Sequence, residues 1–196
     1  MKKVLITGAA GYIGSKLVGY LLENNFEVNA VDTLNFKQDS LISYCNNKNF
    51  NFYKFDVRDY PKYKEQVLKN DIIIPLACLT GAPLSNLHPT EAKQINQDSV
   101  SILSEWTTAE QYVLYPCTNS GYGIGGEGMC TESSPLLPIS EYGKTKVNAE
   151  KSLLEKGNAT TLRLATVFGI SNRMRLDLLV NNLTYLALTT RSLVLF

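Results

Sequence analysis

One histidine, one tryptophan and four cysteines in 196 residues remove several classes of chemistry at once. With His88 alone, and Cys45, Cys78, Cys117 and Cys130 scattered without a Cys-x-x-Cys pair, neither a zinc site nor a disulfide framework is expected. Charge of one sign is also lacking: 19 Lys and Arg against 18 Asp and Glu leave a formal net charge of +1. That balance supplies no field to gather nucleic acid or an anionic membrane surface, so no nucleic-acid or membrane partner is expected. No apolar run reaches the ~20 residues a membrane span needs. Met1-Lys2-Lys3 leads straight into a strand-like run with no leader-type segment, so a reducing cytoplasm is the expected setting. What remains is 44% hydrophobic, enough for one domain with a substantial core.

The most informative stretch is Val4-Leu5-Ile6-Thr7-Gly8-Ala9-Ala10-Gly11-Tyr12-Ile13-Gly14. An apolar β-branched run breaks into three glycines, and apolar residues then resume at helical spacing through Leu17, Val18, Leu21 and Leu22. Strand, glycine turn and helix in this order let a diphosphate lie against bare backbone amides at a helix N-terminus. Gly8 would make the tight turn, Gly11 the close approach to phosphate, and Gly14 the packing of helix on strand. The spacing is Gly-x-x-Gly-x-x-Gly rather than Gly-x-Gly-x-x-Gly, and Ser15-Lys16 after Gly14 does not give a P-loop. Taken alone, the three glycines also fit a purely structural turn.

Further strands are expected from Glu27 to Asp32, Phe52 to Phe55, Asp71 to Ala77, Tyr112 to Tyr115 and Thr161 to Leu164. Helices are expected near Asp39 to Tyr44, then from Pro61 to Leu68, Pro89 to Trp106, Glu141 to Lys156 and Asp177 to Leu188. This alternation predicts an α/β fold with a doubly wound parallel sheet. Asp32 ends the second strand about 20 residues past the glycines, where a carboxylate takes the ribose 2′-OH of NAD and repels the 2′-phosphate of NADP. The plainer role for Asp32 is to cap its own turn. Tyr142 and Lys146 stand four apart at the start of a helix and so share one face. A neighbouring ammonium favours a phenolate, although an exposed Tyr–Lys pair is also common.

The glycine turn, Asp32, Asp56-Val57, Leu76-Ala77, Asn96, Thr118 and Tyr142-x-x-x-Lys146 occur in the order of the extended short-chain dehydrogenase/reductase family. The chain resembles nucleotide-sugar epimerases and dehydratases of that family from Lys3 to about Asn182. The resemblance implies NAD as cofactor, with Gly8, Gly11, Tyr12, Ile13, Gly14 and Asp32 holding its adenosine-diphosphate half. Asp56 and Val57 would line the adenine, Leu76 and Ala77 would pass beside the cofactor, and Asn96 would support the cofactor loop. Tyr142 would remove a sugar hydroxyl proton, Thr118 would bond the same oxygen, and Lys146 would also hold the nicotinamide ribose. Thr80, Asn119, Ser120 and Asn181 are the candidates for contact with a nucleotide-sugar substrate.

Relatives that eliminate water or decarboxylate resemble one another in a Glu two residues before the Tyr-Gly of the post-strand loop; here that residue is Ser120. A serine without its own base has no useful proton affinity at neutral pH, so reversible hydride transfer, as in 4-epimerisation, is the expected chemistry. A catalytically silent NAD-binding module and a 4,6-dehydratase using another acid/base stay open. Residues 1–170 are expected to form the dinucleotide-binding domain, and 171–196 the start of a substrate lobe that is mostly absent. By resemblance, the helices near 90–106 and 141–156 would pair in a homodimer.

Overall fold

In the computed structural model, which describes residues 1–125 and 128–193, the centre of the sheet is β1 (Lys3–Thr7). Its Val4, Leu5 and Ile6 are fully buried, and a strand with no polar face has to be covered on both sides. β2 (Glu27–Asp32) and β4 (Ile72–Pro75) flank it. β3 (Phe50–Lys54) lies outside β2, and β5 (Tyr112–Thr118) and β6 (Ala159–Leu164) lie beyond β4. All neighbours are parallel in the order β3-β2-β1-β4-β5-β6, the doubly wound arrangement expected. The strand order reverses between β1 and β4, and that switch point opens a crevice at the carboxyl edge.

α1 (Tyr12–Glu23) lays Val18, Leu21 and Leu22 over Val4, Ile6 and Val28 on one face. On the other face α2 (Tyr60–Leu68), α4 (89–106) and α5 (Glu141–Lys156) bring Tyr63, Leu103 and Leu153 against Leu5, Ile73 and Tyr115. Local chemistry sets the ends of two of these. Asp59 accepts from the Lys62 amide at the start of α2, and Ser140 from the Gly143 amide at the start of α5. Gly157 closes α5 at φ +86°.

Four details depart from the sequence pattern. A short helix, α3 (Ala82–Leu87), follows Gly81, whose φ is +90°. The helix expected near Asp39 to Tyr44 is a single 3₁₀ turn, Ile42–Tyr44. α4 contains a π-helical stretch at Lys93–Asp98 that places Asn96 inward, 1% exposed. The last helix, α6 (Leu179–Thr190), starts two residues later than the pattern suggested and buries only Asn181. The apolar run Leu193-Val194-Leu195-Phe196 lies outside the described residues except for Leu193.

Two prolines shape the crevice. The β4–β5 ladder has only two rungs, Ile72 with Tyr112 and Ile73 with Val113. Beyond them Pro75 ends β4 and Pro116 sits in β5, and neither has an amide hydrogen to continue the pairing. β5 therefore leans on β6 alone up to Thr118, which pairs with Leu164, and the sheet parts between β4 and β5.

A buried ion pair holds β5, β6 and α5 together behind that parting. Glu150, 1% exposed, accepts from Arg163 Nε at 3.1 Å and from Thr161 Oγ1 at 2.5 Å. Arg163 continues to the Tyr122 hydroxyl and the Glu132 carbonyl. Arg163→Met leaves Glu150 buried and unpaired, so it is expected to lower the unfolding free energy by about 3–5 kcal/mol, read from the denaturant midpoint. Combining it with Glu150→Gln should recover much of the loss.

Candidate active site

The glycine turn has three different steric reasons for its three glycines. Gly8 has φ +65°, and a Cβ there would lie 2.7 Å from the Ala77 amide nitrogen. A Cβ on Gly14 would lie 2.5 Å from the Gly8 carbonyl oxygen, so Gly14 packs α1 onto the turn itself rather than onto the body of β1. Gly11 is the least crowded of the three: its Cβ would meet only the Gly8 carbonyl oxygen, at 3.0 Å. No side chain caps α1, which leaves first-turn amides free for an anion. Asp32 accepts from the Ala10 and Leu34 amides at 3.0 and 2.8 Å and from Gln38 Nε2 at 3.3 Å. It therefore caps its turn and lines the crevice, both at once.

The three glycines, Tyr12, Ile13, Asp32, Asp56, Val57, Leu76 and Ala77 line a cavity of about 440 Å³ at the switch point. Arg58 holds Asp56 by two side-chain bonds and keeps its carboxyl below the usual carboxylate value. Asn96 does not line the cavity. Its amide donates to the Leu79 carbonyl at 3.1 Å and accepts from the Leu79 amide at 2.8 Å, which fixes the loop after β4.

A second cavity of about 360 Å³ opens where the sheet parts, lined by both prolines, Thr80, Thr118, Asn119, Tyr142 and Lys146. Lys146 is 4% exposed, and no acceptor or carboxylate among the described residues takes its ammonium. Its Nζ sits 4.0 Å from the centre of the Tyr115 ring. Burial lowers its pKa, opposed by Cys78, Cys117 and Glu150. Burial also pushes the Tyr142 phenol well above its ordinary value, with Cys78 and Cys117 acting in the same direction. The Thr118 hydroxyl and the Arg175 charge oppose that rise.

Two candidate substrate residues are not brought to either cavity. Ser120 is exposed and donates its amide to Thr118 Oγ1 at 3.2 Å. The Asn181 amide is used inside the protein: it donates to the Tyr12 hydroxyl and the Arg175 carbonyl, each at 2.9 Å, and accepts from the Gly169 amide. These bonds tie the segment after β6 back across the crevice. Tyr12 donates to the Gly169 carbonyl and Ser171 to the Tyr12 carbonyl, both at 2.6 Å. Asn172 reaches the Ser40 carbonyl at 3.1 Å. This strap adds Arg173 and Arg175 to the cavity walls, and Cys78 joins from the end of β4. Pattern reading passed over all three. The one signal for the arginines was an Arg-x-Arg-x-Asp cluster at 173–177 in an otherwise apolar stretch.

Residues 4–186 match the model of the NAD dependent epimerase/dehydratase family. The chain belongs to that family. It is 32% identical over 167 residues to UDP-glucose 4-epimerase 2 of Arabidopsis thaliana, covering 76% of this chain and 46% of the relative. It is 28% identical over 158 residues to the human dTDP-D-glucose 4,6-dehydratase, covering 76% and 45%. The UDP-glucuronic acid 4-epimerase of Bacillus cereus, solved in complex with NAD, superposes with a TM-score of 0.81 at 26% identity, over 96% of this chain and 63% of that one. The chain thus spans about half the length of the curated relatives it matches.

For this epimerase/dehydratase family member, the glycine geometry separates fold from binding. Gly14→Ala is expected to cost about 1–3 kcal/mol by overpacking against backbone, a fall in Tm of several degrees. Gly11→Ala, with one contact at 3.0 Å instead of three under 3.0 Å, should lower Tm less than Gly14→Ala does. Cys117, its thiol pushed up to about 11 by burial, should alkylate far more slowly at pH 8 than the exposed Cys45 and Cys130, as counted by mass spectrometry.

Proposed function

We propose that the chain binds NAD in the larger cavity and carries the proton-transfer half of a nucleotide-sugar 4-epimerase, or of a related oxidoreductase, in the smaller one. The observation that carries this reading is Lys146: a residue only 4% exposed, its ammonium without an acceptor among the described residues, on the wall of a groove that also holds Tyr142 and Thr118. A buried cation in that state calls for hydroxyl acceptors from a ligand. An uncapped helix N-terminus beside Gly11, and a carboxylate at Asp32, fit the diphosphate and adenosine ribose of the same ligand. The carboxylate at Asp32 favours NAD over NADP.

Bound NAD would supply a reversible hydride acceptor. Tyr142 would take the proton from the sugar hydroxyl, with the Thr118 hydroxyl bonding the same oxygen. Lys146 would hold the nicotinamide ribose and, leaving the Tyr115 ring, bring its charge toward the phenol. Burial raises the Tyr142 pKa, so lowering it would fall to that ammonium, Arg175 and the cofactor's own positive ring. A dehydratase would need a further acid/base, and Ser120, at the relevant loop position, is turned out to solvent. Residues 171–193 would begin the substrate lobe: α6 leaves Leu179, Tyr185 and Leu188 exposed.

A second reading, a silent NAD-binding module, draws on the position of Lys146 over the Tyr115 ring. One variant separates the two. Tyr142→Phe should keep NADH binding within about twofold and lower hydride exchange with UDP-glucose or dTDP-glucose by about 10²–10⁴-fold. A parent that binds NADH yet shows no exchange with any sugar nucleotide favours the silent module.

A further inference from the structure

Six residues line both cavities, and Arg175 is the one permanent charge among them. Its guanidinium is only half committed. Nε and Nη2 donate to the two Asp177 oxygens, while no acceptor among the described residues takes Nη1. Its backbone is fixed as well, since Asn181 Nδ2 donates to the Arg175 carbonyl and to the Tyr12 hydroxyl, each at 2.9 Å. Tyr12 opens α1, the helix whose first turn lacks a cap. The strap therefore hangs a cation with a spare donor beside the glycine turn, at the junction of the two cavities.

We propose that Arg175 is a diphosphate-binding residue, gripping a bound ligand's phosphates from the strap while the glycine turn holds them from the sheet. This rests on the cofactor reading above and adds to it. Backbone amides and a helix N-terminus supply about half a positive charge, against the two negative charges of a diphosphate. A guanidinium with free N–H groups is the complementary partner. Asp177 takes the Nε and Nη2 side of the guanidinium and leaves Nη1 for the ligand. Two sources offer this chemistry: the dinucleotide of the larger cavity, and a nucleoside diphosphate reaching in from the smaller one.

The test is calorimetric titration of the full chain and of Arg175→Gln with ADP-ribose, UDP and adenosine, at low and high salt, with NADH binding and Tm recorded for both proteins. For Arg175→Gln we expect affinity for ADP-ribose to fall about tenfold or more, with a flatter salt dependence and adenosine affinity unchanged. Arg175→Lys should recover part of the loss. A fall for UDP alone would also support a diphosphate site and assign it to the second ligand. Parent-like affinity for both diphosphates, or an equal loss for adenosine, would overturn the proposal. A parent chain that fails to bind NADH would instead overturn the cofactor reading.

Discussion

Lys146 is buried with no carboxylate on its ammonium among the described residues, so its charge has to be carried by something else. The Tyr115 ring lies beneath it, Glu150 is one helical turn away, and Glu150 is itself tied to Arg163. Tyr115 lies two residues past the last rung of β5 with β4, where β5 is still paired with β6. The ring beside Lys146 and part of the second cavity's wall thus come from one stretch of strand.

The crevice has a sheet side and a strap side, built by different means. On the sheet side the geometry is local: a positive φ at Gly8 and a helix that starts without a cap. On the strap side it depends on contacts across more than 150 residues of chain, with Tyr12 and Ser15 reaching Gly169 and Ser171. A strap held by a few hydrogen bonds at a surface can open at modest cost. A ligand lying between the two sides has contacts to gain from both.

What was legible in the sequence follows the same division. The doubly wound parallel sheet, the tight turn at Gly8 and the shared face of Tyr142 and Lys146 were readable because each rests on local periodicity or on a turn a few residues long. Asp32 was readable only as a pair of alternatives, and the structure realises the capping role at the Leu34 amide while leaving the side chain on the cavity wall. The resting partner of Lys146 was not readable, since Tyr115 looked like one more apolar strand residue. Pro75 and Pro116 were visible, but their meaning depends on the β4–β5 register. Asn181 was readable only as a candidate for substrate contact, and its bonds to Tyr12 and the Arg175 carbonyl emerge only from the tertiary structure.

Family membership and fold leave the cofactor site as the claim on which every functional statement depends. Calorimetric titration of the 196-residue chain with NAD tests it most directly. The account predicts saturable binding at one site per chain, with NAD bound more tightly than NADP. Absence of binding by a folded chain, or a preference for NADP, would contradict it.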